Sequence, residues 1–394
     1  MFKLLLVIFF LFTGCDDNTE DQGPPLGNGS YSIFVSLQGS DKVAIVGSDL
    51  EIKDIISIDL MAMDMGMMGM EAPHDIAVDD MHGYWFTTAM MGGDVGMYSI
   101  ETNELISSFN IGLMPALMAL DEENMKIYIS RGKPDGGSTN IIYELSYDGD
   151  VLVEVEQWDV GFNYAHGINF NKDNGHVYVT SKTADFIAKI NPSQPQSYQI
   201  NPKLVSMNAS INPDNYTIDL NRLVPIQIAT KYPYMFIACS AGSVGSLPGQ
   251  IQMWNIEEMT LVETYEFDTY SHPWHIEVSS IEDEIFVTLS GSDINDPETA
   301  SGVACIKYSI SNDPIMQKSW KTTSSNYGKM HGITVQSDCD GNYYVYSTGR
   351  TDGNIYKFDA STGEQIGVSN NLADIADQAT GGIDSYYPNC DCCN

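Results

Sequence analysis

One short segment, Pro73-His74-Asp75-Ile76-Ala77-Val78, recurs along the chain. Two further copies carry a histidine at the same point: Ala165-His166-Gly167-Ile168-Asn169-Phe170 and Met330-His331-Gly332-Ile333-Thr334-Val335. Three copies lack it there: Pro115-Ala116-Leu117-Met118-Ala119-Leu120, Pro225-Ile226-Gln227-Ile228-Ala229-Thr230 and Pro273-Trp274-His275-Ile276-Glu277-Val278. A repeat of roughly 40 to 60 residues built from short strands is typical of a β-propeller, whose matched positions converge on a central axis. We therefore expect the matched histidines to lie close together.

Each repeat continues in the same order, which predicts one four-stranded blade per copy. The opening strand is followed by a polar turn, an aromatic-rich strand such as Tyr84-Trp85-Phe86-Thr87-Thr88, a loop and two more strands. The first segment, from Tyr31 to Leu60, has only three strands, and its inner strand must come from elsewhere. The natural donor is the C-terminal tail near Gly382-Ile383-Asp384-Ser385-Tyr386. The sequence thus predicts an all-β, seven-bladed β-propeller closed by pairing of its N- and C-terminal strands.

This repeat resembles the YVTN, or YncE-like, and NHL-like propellers, and the resemblance covers nearly the whole mature chain. It implies the fold but not an activity, because propellers include enzymes, binding proteins and scaffolds.

The N-terminal sequence predicts export to the cell envelope. Met1-Phe2-Lys3 and the apolar run from Leu4 to Phe12 have the form of a signal peptide. The next residues, Phe12-Thr13-Gly14-Cys15, resemble the lipobox of bacterial lipoproteins, although leucine is more usual than Phe12. The resemblance implies cleavage before Cys15 and lipidation of its sulfur; an ordinary secretory signal is the alternative. We therefore divide the chain into a signal peptide at 1–14, a lipidated cysteine with an acidic flexible tether at 15–30, and the propeller with a cysteine-rich tail at 31–394.

The composition argues against nucleic-acid binding. The chain has 53 acidic and 18 basic residues and a net charge of -35, so it repels nucleic acid and anionic lipid. No phosphate-binding loop or dinucleotide fingerprint is present, which disfavours nucleotide chemistry. Adaptation to a saline habitat is a sufficient explanation of the bulk charge.

The matched histidines His74, His166 and His331 fall in blades two, four and seven, where three imidazoles could face one ion. Three neutral imidazoles with an open fourth position suit zinc or copper. The phrase His-Gly-Ile resembles the zinc-binding strand openings of peptidylglycine amidating lyase and, more distantly, streptogramin lyase. His275, one position later in its copy, and His272, in the loop before it, are further candidate ligands or acid/base groups. Satisfaction of the rings by backbone carbonyls is the structural alternative.

A methionine cluster precedes the first of these histidines. It consists of Met61, Met63, Met65, Met67, Met68 and Met70. Thioether sulfur is a soft ligand that selects Cu(I), so the cluster resembles the methionine motifs of periplasmic copper-handling proteins. An adaptable hydrophobic contact loop is the alternative.

The remaining candidates are arginines and cysteines. Arg131, Arg222 and Arg350 are predicted on the histidine face, where they either bind an anion or pair with nearby aspartates. Cysteine in an oxidising compartment favours disulfides, and we expect Cys339 to pair with Cys390, Cys392 or Cys393; a soft-metal site in the tail is the alternative.

Three functions remain open. The first is a lipid-anchored propeller, at the outer membrane on its periplasmic or external side, that binds a transition metal, copper before zinc, for handling, sensing or storage, with an envelope protein as a possible partner. The second is a zinc-dependent lyase or hydrolase, and the third a metal-free interaction propeller.

Overall fold

The computed structural model describes residues 31–60, 70–112, 114–132, 140–194, 203–207, 222–241, 247–291, 300–309, 314–338, 340–369, 371–377 and 379–387. Several predicted features lie outside these residues: the signal peptide and tether, Cys15, the methionines from Met61 to Met68, and Cys339, Cys390, Cys392 and Cys393. Within the described ranges, no helix has the length and apolar character needed to cross a membrane.

The described strands form seven four-stranded antiparallel sheets arranged in a ring, a seven-bladed β-propeller. Blade 1 contains β1 Ser32–Leu37, β2 Lys42–Gly47 and β3 Ile52–Ser57. Blade 2 contains β4 Pro73–Asp79, β5 Tyr84–Ala89, β6 Asp94–Ser99 and β7 Leu105–Asn110. Blade 3 contains β8 Pro115–Asp121, β9 Lys126–Arg131, β10 Ile141–Ser146 and β11 Val153–Asp159. Blade 4 contains β12 Ala165–Asn171, β13 His176–Ser181, β14 Phe186–Ile190 and β15 Lys203–Ser206.

The second half of the ring repeats this arrangement. Blade 5 contains β16 Pro225–Lys231, β17 Tyr234–Cys239, β18 Gln250–Asn255 and β19 Thr260–Glu266. Blade 6 contains β20 Pro273–Val278, β21 Glu284–Leu289, β22 Gly302–Ser309 and β23 Ile315–Thr323. Blade 7 contains β24 Met330–Ser337, β25 Tyr343–Gly349, β26 Asn354–Asp359 and β27 Gln365–Val368. A 3-10 turn at Glu122–Asn124, helix α1 at Leu372–Ala376 and strand β28 at Thr380–Tyr386 complete the described elements.

The two ends of the chain close the ring, as the sequence predicted. β28 pairs antiparallel with β1, so that Tyr386 lies opposite Ser32 and Ile383 opposite Val35. Blade 1 therefore takes its inner strand from the C-terminus, and closure depends on backbone hydrogen bonds between residues more than 300 positions apart.

Aromatic residues of the second strands form much of the core between blades. Tyr128 of blade 3 packs in one cluster with Ile168 and Val177 of blade 4, and Phe286 of blade 6 packs with Val345 of blade 7. The aromatic side chains of Tyr128 and Phe286 are at most 1% exposed. Their burial stabilises the ring by the removal of apolar surface from water, at about 25 cal/mol per Å².

Hydroxyl groups join five of the blades to the next one at the start of the inner strands. A serine or threonine of one blade's second strand donates a hydrogen bond to the carbonyl of the second inner-strand residue of the next blade. The bonds are Ser36 to His74 (3.0 Å), Thr88 to Ala116 (3.0 Å), Ser130 to His166 (2.7 Å), Thr288 to His331 (2.9 Å) and Thr348 to Gly381 (2.9 Å). The backbones of three histidines are thus fixed by the neighbouring blade.

The inner strands begin with an irregularity. The register with the second strand shifts within the first residues of every inner strand from β4 to β24, for example between Pro73 and Ile76 and between Pro273 and Ile276. A β-bulge of this kind interrupts the alternation of side chains between the two faces of a strand. Consecutive residues at the bulge can therefore approach the same region of the channel.

Candidate functional site

Four buried histidines lie at the bulged starts of the inner strands; we call His74, His166, His275 and His331 the histidine layer. Each is between 3% and 5% exposed. The ring centroids of His275 and His331 are 4.7 Å apart, and those of His74 and His331 are 5.6 Å apart. His166 is close enough that its charge would lower the pKa of both His74 and His331. The structure thus places the three matched histidines, and His275 with them, around one part of the channel.

The position of His275 departs from simple strand alternation. The backbone N–H of His275 donates to Thr288 as that of Asp75 donates to Thr88, so His275 is matched with Asp75 rather than with His74. One position along a regular strand would turn its ring away from the others. The bulge between Pro273 and Ile276 removes this constraint, and the His275 ring contacts that of His331.

Hydrogen bonds orient three of the four rings. His166 Nδ1 donates to the Ile226 carbonyl at 2.7 Å, which leaves Nε2 as its free lone pair. Arg350 Nη1 donates to His331 Nε2 at 3.1 Å, so the proton of this neutral ring is on Nδ1. Gln38 Nε2 lies 3.4 Å from His74 Nδ1 and 3.6 Å from the Met90 sulfur. His275 Nε2 and His331 Nδ1 are buried and contact no hydrogen-bonding group among the described residues.

Burial keeps the layer uncharged. It lowers the pKa of His166 and His275 to about 3, with a further contribution from the charge of Lys182 on both rings and of Arg350 on His275. The pKa values of His74 and His331 are also lowered well below 6.5, first by burial. Neutral imidazoles are metal ligands and hydrogen-bonding groups, but they are poor proton acceptors at such a low pKa.

The other predicted site residues lie in different surroundings. His272 Nδ1 donates to the Ser240 carbonyl at 2.9 Å. Arg222 Nε lies 3.2 Å from Asp185 Oδ2, the local pairing that was the alternative to anion binding. The Arg131 guanidinium lies 6.0 Å from the centre of the Tyr143 ring. Of the three arginines, only Arg350 contacts the histidine layer in the hydrogen bonds that the structure records.

Among the described methionines and cysteines, Met90 is the one that we find connected to the histidine layer. Met70 is 54% exposed, whereas Met90 reaches the histidine layer through Gln38. Cys239 and Cys305 are buried free thiols. Over the described ranges, no group of three or more His, Cys, Asp or Glu side chains has the arrangement of a metal site.

Two site residues were missed by sequence reasoning. Lys182 follows β13 as Arg350 follows β25, and its Nζ lies 4.9 Å from the centre of the Trp274 ring. That ring in turn lies 5.7 Å from the His331 ring. Alignment of the residues after each second strand would have identified Lys182, because it occupies the same place in its repeat as Arg350.

A second layer of titratable groups lines the channel beyond the histidines. A cavity of ≈ 450 Å³ is bordered by inner-strand residues that include His275, Asp75, Glu277 and Asp384, and we call these three acids the carboxyl layer. Burial raises the pKa of Asp75 and Asp384 to about 7 and that of Glu277 to about 8, and the charge of Asp384 adds to the increase at Asp75 and Glu277.

Comparison with known proteins identifies the fold. No family model and no curated protein sequence matches the chain. Among solved structures, the periplasmic gluconolactonase PpgL of Pseudomonas aeruginosa is similar with a TM-score of 0.65 at 10% identity, over 91% of this chain and 100% of that one. A putative 6-phosphogluconolactonase of Bacteroides fragilis gives 0.64 at 11% identity, over 93% and 100%. A functionally unknown protein of Desulfotomaculum acetoxidans gives 0.64 at 12% identity, over 91% and 99%. At these identities the likeness concerns the seven-bladed propeller and not the activity.

Proposed function

We propose that the histidine layer binds a transition-metal ion, copper in the first place, and that the protein handles, senses or stores this metal in the bacterial cell envelope. The observation that carries the proposal is the gathering of four buried, neutral imidazoles, among which His275 Nε2 has no hydrogen-bond partner in the described protein and His166 Nε2 keeps a free lone pair. A buried nitrogen without a partner is costly, and a metal ion is one partner that it accepts.

The ring separations are compatible with a shared ion. Metal–nitrogen bonds of about 2.0–2.1 Å place the centroids of two imidazoles on one tetrahedral ion roughly 5 Å apart. The observed separations are 4.7 Å between His275 and His331 and 5.6 Å between His74 and His331. An ion bound by His331 would take the Nε2 lone pair in place of Arg350. The bond from His166 Nδ1 to a carbonyl is also the kind that orients a metal-binding imidazole. Because the rings are already neutral, an ion would not compete with protons near pH 7.

Copper is favoured over zinc by sulfur. The Met90 thioether and the His74 ring lie on either side of Gln38, whose Nε2 is 3.6 Å from the sulfur and 3.4 Å from His74 Nδ1. Thioethers are ligands of Cu(I), whereas zinc is bound by thiolate, imidazole and carboxylate. The envelope location and lipid anchor rest on the signal peptide and lipobox resemblance, and the proposed partners are the membrane and an envelope protein.

A zinc-dependent lyase or hydrolase is the second candidate. The position of Arg350 favours it, because the guanidinium donates to His331 at 3.1 Å and would stabilise negative charge that develops on a substrate at the ion.

Metal content tests these proposals. The chain from Gly27 contains every described strand and is purified for elemental analysis beside the triple variant His74→Ala, His166→Ala, His331→Ala. We expect about one copper ion per chain in the parent and its loss in the triple variant. His176→Ala is the matched control, since His176 is bonded to Asn174 away from the layer and should leave the copper content unchanged.

Two outcomes would replace the first proposal. Stoichiometric zinc that stays bound after deletion of Met61–Met70 would favour the enzyme, whereas faster loss of copper after this deletion would support handling. Absence of tightly bound metal in both proteins, also after incubation with copper or zinc, would favour a metal-free interaction propeller.

A further inference from the structure

Six blades present one residue at matched places around the channel entrance, directly after the second strand. The backbone N–H of each donates to the residue just before the inner strand of the same blade, and we call these six residues the entrance ring. They are Met90, Gly132, Lys182, Ser240, Ser290 and Arg350. The only charged members are Lys182 and Arg350, and both are cations in a chain with 53 acidic residues.

These two cations differ from those that the structure pairs with carboxylates. Lys126 lies 2.5 Å from Glu144, Arg222 lies 3.2 Å from Asp185 and Lys321 lies 2.8 Å from Asp268. For Lys182 and Arg350, the described residues provide no ion pair. Burial lowers the pKa of Arg350, and burial together with the charge of Arg350 lowers that of Lys182, with no acidic group acting in the opposite direction. Each positive charge therefore costs free energy that no described carboxylate offsets.

Two N–H donors lie beside these cations. The Trp274 ring is 4.9 Å from Lys182 Nζ and 5.7 Å from the His331 ring. Trp274 Nε1 is buried and meets no acceptor among the described residues, and the same holds for His331 Nδ1. An indole nitrogen is only a donor, and His331 Nδ1 carries the proton because Nε2 accepts from Arg350. The cluster thus contains two positive charges and two donors, and its one acceptor, His331 Nε2, is already bonded to Arg350.

We propose that Lys182, Arg350, Trp274 and His331 form a binding site for the oxyanion group, carboxylate or phosphate, of a small molecule at the channel entrance. An oxyanion supplies both features that the cluster lacks, a negative charge and several acceptor lone pairs. The site goes beyond the proposed function, because its donors do not require a metal ion in the histidine layer.

Indole NMR signals test the site on the parent protein. The chain has five tryptophans. Trp158, Trp254 and Trp320 donate to Glu144, Gln252 and the Ala360 carbonyl. Trp85 Nε1 has no described partner, but its ring stacks on Tyr98 in an apolar cluster. With metal removed by a chelator, phosphate or acetate is added at constant ionic strength. We expect the Trp274 Nε1–H signal, assigned with Trp274→Phe, to move in a saturable manner while the other four stay in place.

Variants identify the cations that bind the anion. Arg350→Gln and Lys182→Met should each weaken binding by about tenfold or more, because each removes a charge-assisted contact. Lys189→Met is the control: its cation also lies over an aromatic ring in blade 4, but 3.7 Å from Glu257, so binding should stay unchanged. Saturation by phosphate but not acetate, or the reverse, would identify the oxyanion source. An immobile Trp274 signal with both anions, binding that appears only after metal is added, or equal loss in Lys189→Met would overturn the proposal.

Discussion

The histidine layer and the carboxyl layer lie on the same inner strands, and in blade 6 His275 and Glu277 belong to one strand, β20. The histidines are buried and the three acids line a cavity, and in both layers burial is the largest cause of the pKa shift. Its direction is opposite: the pKa of His275 falls to about 3, whereas that of Glu277 rises to about 8. One environment thus removes protons from the imidazoles and adds them to the carboxyl groups, because in each case the neutral form is favoured.

The largest effect is expected in acid. Folded His166 and His275 have pKa values of about 3 and unfolded histidine about 6.5, so the unfolded chain binds more protons and stability falls as the pH decreases through this window. From about pH 6.5 to 4.5 the carboxyl layer opposes the change, and the decrease should be steepest below that range. The free energy of unfolding, measured with urea at a series of pH values, should lose up to about 1.4 kcal/mol per pH unit for each proton bound.

Removal of one imidazole isolates this contribution. His275→Asn should reduce the acid slope by about one proton. His82→Asn, at a partly exposed turn residue bonded to Asp79 and away from the layer, is the control. Equal slopes in the parent and in His275→Asn would mean that this ring is not held neutral in the folded protein.

A smaller effect is expected above neutral pH. Folded Glu277, Asp75 and Asp384 keep protons that the unfolded chain has already lost, so stability falls as the pH rises toward their folded pKa values of about 7 to 8. The total loss should be a few kcal/mol, since the three carboxyl groups border an open cavity and solvent screening reduces the effect of burial. Glu277→Gln should flatten the dependence of the free energy of unfolding between pH 6 and 8.

The matched control for this variant is Glu263→Gln on outer strand β19, outside the channel. A pH dependence that is equally flattened by both substitutions, or by neither, would contradict the assignment to the carboxyl layer.

The smallest effect concerns the hydroxyl groups that hold the backbone of the histidine layer. The Thr288 hydroxyl donates to the His331 carbonyl at 2.9 Å, whereas the hydroxyl of the corresponding Thr180 is buried and has no partner among the described residues. Thr288→Val should therefore lower the free energy of unfolding by about 1–2 kcal/mol, and Thr180→Val should leave it nearly unchanged or raise it. Urea unfolding of the two variants at one pH makes the comparison; a larger loss in Thr180→Val would contradict it.

Much of the fold could be predicted because the same strand pattern recurs in the sequence of each blade. Six strand openings with matched second strands determine the number of blades, and the three-stranded first segment requires a donor such as Thr380–Tyr386. The candidate site was predictable in part. The matched histidines, Arg350 and, had the residues after the second strands been aligned, Lys182 follow from the repeat. Trp274 was missed because its role depends on neighbours from other blades.

The sequence by itself determined the seven-bladed ring, its closure and the histidines at its inner strands, because these depend on local patterns repeated along the chain. Only the tertiary structure decided which groups share one environment. A bulge brings His275 to His331, the ring places Lys182 of blade 4 against Trp274 of blade 6, and Asp185 neutralises Arg222 but no described acid reaches Arg350. The physical reason is that burial and charge pairing are properties of positions in space, and those positions come from blades far apart in the chain.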